Sequence, residues 1–188
     1  MREIVRNAIK RIYLDKDFDM FRTRSQMYFE LHDEIDFCIN NLNGKYANSR
    51  YNIRPYKSYW IDYEKYIRGE YEASYLTIVE ISKIIPIFQI YHQFSIDNID
   101  ENKFQPSFCE YREKPYTKSQ LKMEEEICKI LYREGYTRLS EDEMNEVVVN
   151  IDLPEDRTFF GSQATVEILL FKDVFDIIDD DEEEEGGG

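Results

Sequence analysis

Residues 179–185 are seven consecutive carboxylates, near the end of a 188-residue chain, without one cation among them. Like charges at that density repel, so the run should stay extended and solvated and cannot join a packed core. The asymmetry is wider than the run itself. Residues 1–139 carry 22 acidic and 22 basic side chains, whereas residues 140–188 carry 17 acidic ones against only Arg157 and Lys172. The whole net charge of −15 therefore falls in the last 49 residues. The expectation is a single domain over residues 1–175, followed by a disordered, acidic, Gly-ended tail over residues 176–188.

The rest of the chain has the means to fold. Apolar residues make up 42% and aromatics 15%, enough for a packed core, so disorder throughout is excluded. Seven glycines and five prolines exclude a collagen-like or low-complexity chain. No apolar run approaches the roughly 18 residues that cross a bilayer, and the polar start lacks the apolar centre of a secretory signal. Cys38, Cys109 and Cys128 have no paired spacing, so a disulfide framework is not expected and a reducing cytoplasm fits.

Periodicity predicts a helix over residues 2–13, where Ile4, Val5, Ala8, Ile9 and Ile12 share a face. A longer helix is expected over residues 21–42, with Tyr28, Leu31, Ile35, Ile39 and Leu42 recurring every three or four positions and Asn43-Gly44 as its stop. Tyr56, Tyr59, Tyr63 and Tyr66 step by three, four and three, one stripe if that segment is helical, with Gly69 ending it. Strand signals follow at residues 75–81 and 84–96, the second with Phe88, Ile90, His92 and Phe94 on one face and Pro86 confined to its start.

Residues 97–115 read as a long loop. Thr117-x-x-Gln120 is a capping box for a helix that buries Leu121, Ile127, Ile130 and Leu131 and closes at Gly135. Ser140-x-x-Glu143 begins a shorter one. Residues 147–151 and 164–171 are strand candidates. Helices and strands mix without regular alternation, which predicts an α+β fold with helices packed on one antiparallel sheet.

The usual signatures of chemistry fail. Asp15-x-Asp17-x-Asp19 starts like a calcium loop, but Met20 stands at the required glycine and Gln26 at the bidentate acid. Two histidines cannot build a three-histidine zinc site, and no second histidine lies at helical spacing from His32 or His92. His92, on an apolar strand face, reads as a core histidine. Cys38 and His32 fall on different helix faces, and Cys128 reads as core. Gly161-Ser162-Gln163 lacks the second glycine of a nucleophile elbow, and no Gly-rich phosphate loop is present. Neither an enzyme, a metal nor a cofactor is expected.

What remains is surface. Eight tyrosines and Trp60 are interleaved with Lys45, Arg50, Arg54, Lys57, Lys65 and Arg68 between residues 45 and 75. Such residues either pack over a sheet or supply large contact area at small entropic cost in a recognition surface. A stacking platform for single-stranded nucleic acid uses the same residue types, but the adjacent negative field opposes it. A basic protein, by contrast, is steered toward such a field. The terminal Gly186-Gly187-Gly188 has the glycine ending of ubiquitin-like modifiers, yet follows a polyacidic stretch and reads as a flexible end.

In size, acidity, absence of catalytic motif and the closing pattern of residues 161–173, GSQATVEILLFKD, the chain resembles the cytosolic immunity proteins that bacteria make against polymorphic toxins. That resemblance implies stoichiometric inhibition, an acidic surface covering the basic active site of a nuclease-type toxin, with no direct nucleic-acid contact. The expected contacts are Glu141, Asp142, Glu143, Glu146, Asp152, Glu155 and Asp156 together with Tyr59, Tyr63 and Tyr66. A phage-encoded DNA mimic acting on a host nucleic-acid enzyme has the same physics. A small enzyme using carboxylates around His92 is the remaining alternative.

Overall fold

The computed structural model describes residues 1–48, 54–100, 102, 108–151, 153, 163–173 and 175–177. These form an α+β domain. Its centre is an antiparallel sheet in the order β1 (Lys45–Asn48), β2 (Tyr56–Asp62), β4 (Tyr71–Ser82), β5 (Ile87–Asn98) and β6 (Phe108–Arg112). β3 (Tyr66–Arg68) pairs with β4 beyond the end of β2, and β7 (Thr137–Arg138) joins β5 in parallel. The fold class expected from the sequence is the fold observed.

Helices close both faces. α3 (His32–Asn41) and α4 (Lys118–Arg133) cover one face, where Ile35, Ile39, Ile127 and Leu131 meet Tyr59, Val79, Phe88 and Ile90. α1 (Glu3–Ile9), α2 (Phe18–Gln26), α5 (Glu141–Met144) and α6 (Val166–Phe171) gather around Ile84 and Ile87 on the other. The first predicted helix is present, but its last turn, Lys10–Leu14, widens to π-helical geometry.

The long helix expected over residues 21–42 is two helices. Met27 is extended (φ −65°, ψ 142°) and the helix resumes only at His32. A continuous helix would bond the Ser25 carbonyl to the Phe29 amide. Here the Lys83 ammonium donates to that carbonyl instead. Phe29 turns inward, 7% exposed, and its ring meets Tyr136 edge-on at 6.4 Å.

Residues 56–66 are also not helical. β2 pairs with β4 from Tyr56↔Ser82 to Asp62↔Leu76, so the three- and four-residue tyrosine spacing makes no stripe. Gly69 does not end a helix; at φ 63° it opens the two-residue turn from β3 into β4. The segment 97–115 is not all loop, because residues 108–112 form β6. The strand expected over residues 164–171 is α6, whose N-cap Thr165 accepts from the Ile168 amide at 3.3 Å. Residues 147–151 form no strand, only a single bridge between Val147 and Thr165.

Local capping signals were reliable. Thr117/Gln120 and Ser140/Glu143 are both complete capping boxes, and Gly135 takes the left-handed conformation (φ 79°) after α4. The buried face of α4 includes Met123, Ile127, Ile130 and Leu131, but Leu121 is 43% exposed. Ile177, expected in the acidic tail, is instead 5% exposed; its carbonyl accepts from Arg22 Nε and its amide donates to Asp173. Residues 178–188, with the seven-carboxylate run, lie outside the described residues.

Candidate partner-binding surface

β5 alternates, so successive residues serve opposite faces of the sheet. Phe88, Ile90 and His92 point under α4. Gln89, Tyr91 and Gln93 point the other way, onto a face that, among the described residues, α5 and α6 cover at one end. On that second face Trp60, Ile78 and Tyr91 are direct cross-strand neighbours, and Tyr91 contacts Tyr111 of β6 with ring centroids 6.2 Å apart. Ile78 is 1% exposed, whereas Trp60 and Tyr111 are 46% and 56% exposed. Two large rings therefore reach solvent on either side of a buried aliphatic.

Between β5, β6, α5 and α6 lies a cavity of about 310 Å³, with Tyr91 and Tyr111 on one side and Glu113, Glu141 and Glu167 among its other walls. Glu113 is positioned by accepting from the Glu141 backbone amide. Glu80 lies on the same face, 6% exposed and hydrogen-bonded by Gln89. Burial raises the Glu80 carboxyl above its ordinary range, against Lys172 and the Gln89 hydrogen bond, with Glu167 adding to the rise. Burial, followed by Glu80 and Glu167, also drives the Tyr91 phenol upward, so its hydroxyl stays protonated. Three carboxylates, Glu113, Glu141 and Glu167, share the lining of the cavity with one cation, Arg112.

Two cations border it. Lys172 lies 3.8 Å from Glu167 and 5.2 Å over the Tyr56 ring. Arg112 lines the cavity, but its guanidinium is engaged elsewhere, 3.6 Å over Tyr116 and bonded to the Lys114 and Pro115 carbonyls.

The expected contact residues separate sharply. Tyr59 is fully buried and its hydroxyl bonds the His32 ring at 2.9 Å, so it is a core residue and offers nothing to a partner. Tyr63 is half-buried, its hydroxyl 2.9 Å from Thr77. Only Tyr66 is open, at 63% exposure. Glu141 and Asp142 are exposed, Glu141 on the cavity wall. Glu143 is taken by a two-pronged pair with Arg2 (2.6 and 3.0 Å) as well as by the Ser140 amide. Glu146 pairs with the N-terminal ammonium at 2.6 Å. Asp152, Glu155 and Asp156 lie outside the described residues. Tyr91, Tyr111, Glu113 and Glu167 were not anticipated; the Gln89–Tyr91–Gln93 alternation was the signal that could have found the first.

His92 is fully buried, with Nδ1 3.0 Å from Thr77 and Nε2 2.7 Å from Glu124, so both ring nitrogens are occupied away from solvent. Among the described residues no group of three or more His, Cys, Asp or Glu side chains could hold a metal ion, and no helix is long and apolar enough to cross a membrane. No family model matches the chain, and no curated protein or solved structure does either.

Proposed function

We propose that this chain is an acidic protein-binding inhibitor of the immunity or antitoxin type, which blocks a basic, nucleic-acid-acting partner by stoichiometric association. The observation that carries the reading is the sheet face on which half-exposed Trp60 and Tyr111 stand among Glu80, Glu113, Glu141 and Glu167. Aromatic anchors bordered by carboxylates suit a cationic protein surface, which the surplus charge of residues 140–188 would attract at long range. A line of phosphates would be repelled by the same groups.

The test is to recover the bound partner from native cells at low salt and assay its nucleic-acid activity with and without the purified chain. The reading expects activity to fall in proportion to added chain, reach zero near equimolarity and return as salt rises. A partner that is acidic, or that works unhindered in the complex, would overturn it.

A further inference from the structure

The basic-partner reading leaves open which surface makes contact, and the sequence placed it on the tyrosines of residues 59–66 and the acids after Ser140. The geometry keeps Glu141 of that set and moves the rest of the contact to other residues. Resting on that reading, we propose that this sheet face is the docking surface for a basic protein segment, with one arginine side chain seated in the cavity between Tyr91, Tyr111, Glu113, Glu141 and Glu167 and with the segment continuing over Trp60, two strands away on the same face.

Size narrows the occupant. About 310 Å³ lies at the bottom of the roughly 300–1,000 Å³ range of small-molecule pockets, which suits one side chain better than a nucleotide or organic cofactor. Chemistry narrows it further. A guanidinium stacks on a tyrosine face and offers five N–H donors in a plane, so it can answer several carboxylates at once; an ammonium is a compact, strongly hydrated point charge. The chain's own Arg112 shows the stacking half of this arrangement on Tyr116, 3.6 Å from the ring.

The flanking row supplies apolar contact. Trp60 is held by its indole N–H donating to Ser58 at 2.8 Å, which leaves the ring plane available to the aliphatic stem of a long cationic side chain.

Trp60 is the only tryptophan in the chain, so its fluorescence reports on this face alone. The experiment titrates the full-length protein with an octa-arginine peptide, an octa-lysine peptide and oligodeoxythymidine, following Trp60 emission and overall binding together. The proposal expects the arginine peptide to shift Trp60 emission and bind more tightly than the lysine peptide. Tyr111→Ala and, independently, Glu167→Gln should each weaken that binding roughly tenfold. Arginine-peptide binding that leaves Trp60 silent overturns this surface while keeping the basic-partner reading. No binding of either cationic peptide overturns both. Lysine bound as tightly as arginine removes the guanidinium assignment, and a Trp60 response to oligodeoxythymidine makes the face a nucleic-acid platform instead.

Discussion

Nε2 of the buried His92 ring lies 2.7 Å from Oε2 of Glu124, and the other oxygen of that carboxylate takes Arg138 Nη1 at 2.7 Å. With the carboxylate accepting, Nε2 carries a proton, and the Thr77 hydroxyl bridges Nδ1 at 3.0 Å and the Tyr63 hydroxyl at 2.9 Å. Every polar side chain from Tyr63 to Arg138 thus has a partner in one connected network. Deleting its centre would leave His92 Nε2 without its acceptor and Arg138 without its carboxylate, holding only the Ile90 and Glu113 carbonyls. Glu124→Ala should lower stability by about 3 kcal/mol, read as a fall in thermal midpoint of roughly 6–12 °C. A loss below about 1 kcal/mol would mean that water replaces the carboxylate at little cost.

Lys83 gives stability an alkaline dependence. Burial first, and the neighbouring Lys57 second, depress its ammonium from 10.5 to about 8. Between those values the unfolded chain holds the proton that the native chain has released, so this group makes stability rise with pH across the window. Lys83→Met removes that contribution while leaving the tyrosines common to both proteins. Urea midpoints at pH 8 and pH 10 should therefore rise less, or fall more, in the variant than in the parent. Parallel pH responses would contradict the depressed value.

Gly44 follows α3 at a point where the chain passes closest to the core. A Cβ there would sit 2.8 Å from Ile61 Cγ2, 2.9 Å from Ile39 Cγ2 and 3.0 Å from Met123 Cε. All three neighbours are fully buried and cannot swing away. Gly44→Ala should cost about 1–3 kcal/mol by overpacking, measurable in chemical denaturation. No loss would mean that α3 and α4 move apart freely.

Two residues predicted for the same face of α4 should behave differently. Ile127 is fully buried between α3 and the sheet, and Ile127→Ala should cost about 2–5 kcal/mol. Leu121 is 43% exposed, and Leu121→Ala should stay within about 0.5 kcal/mol. Equal losses in paired melts would place Leu121 in the core after all.

The features legible in the sequence are those decided within a few residues. Both capping boxes, the glycine stop at Gly135 and the burial of His92 follow from side chains acting on their own neighbourhood. The failures have remote causes. The break after α2 depends on Lys83, 58 residues beyond the carbonyl it takes. β6 is exposed at every position, so it has no alternation to read, and only pairing with β5 identifies it.

The candidate surface divides the same way. Glu141 was visible as charge, while Tyr91 and Tyr111 become neighbours only through strand register. Tyr59 has helical spacing from Tyr63 and Tyr66, but it lies in a strand that packs it under α3.

Tyr91 and His92 are consecutive residues of a 12-residue strand paired along almost its whole length with β4. One faces the cavity and the other is clamped between Thr77 and Glu124. The backbone beneath the aromatic row is therefore already immobilised before anything arrives. Among the described residues a visitor to that row would meet paired strand rather than loop, and complex lifetime there should track the fit of side chains.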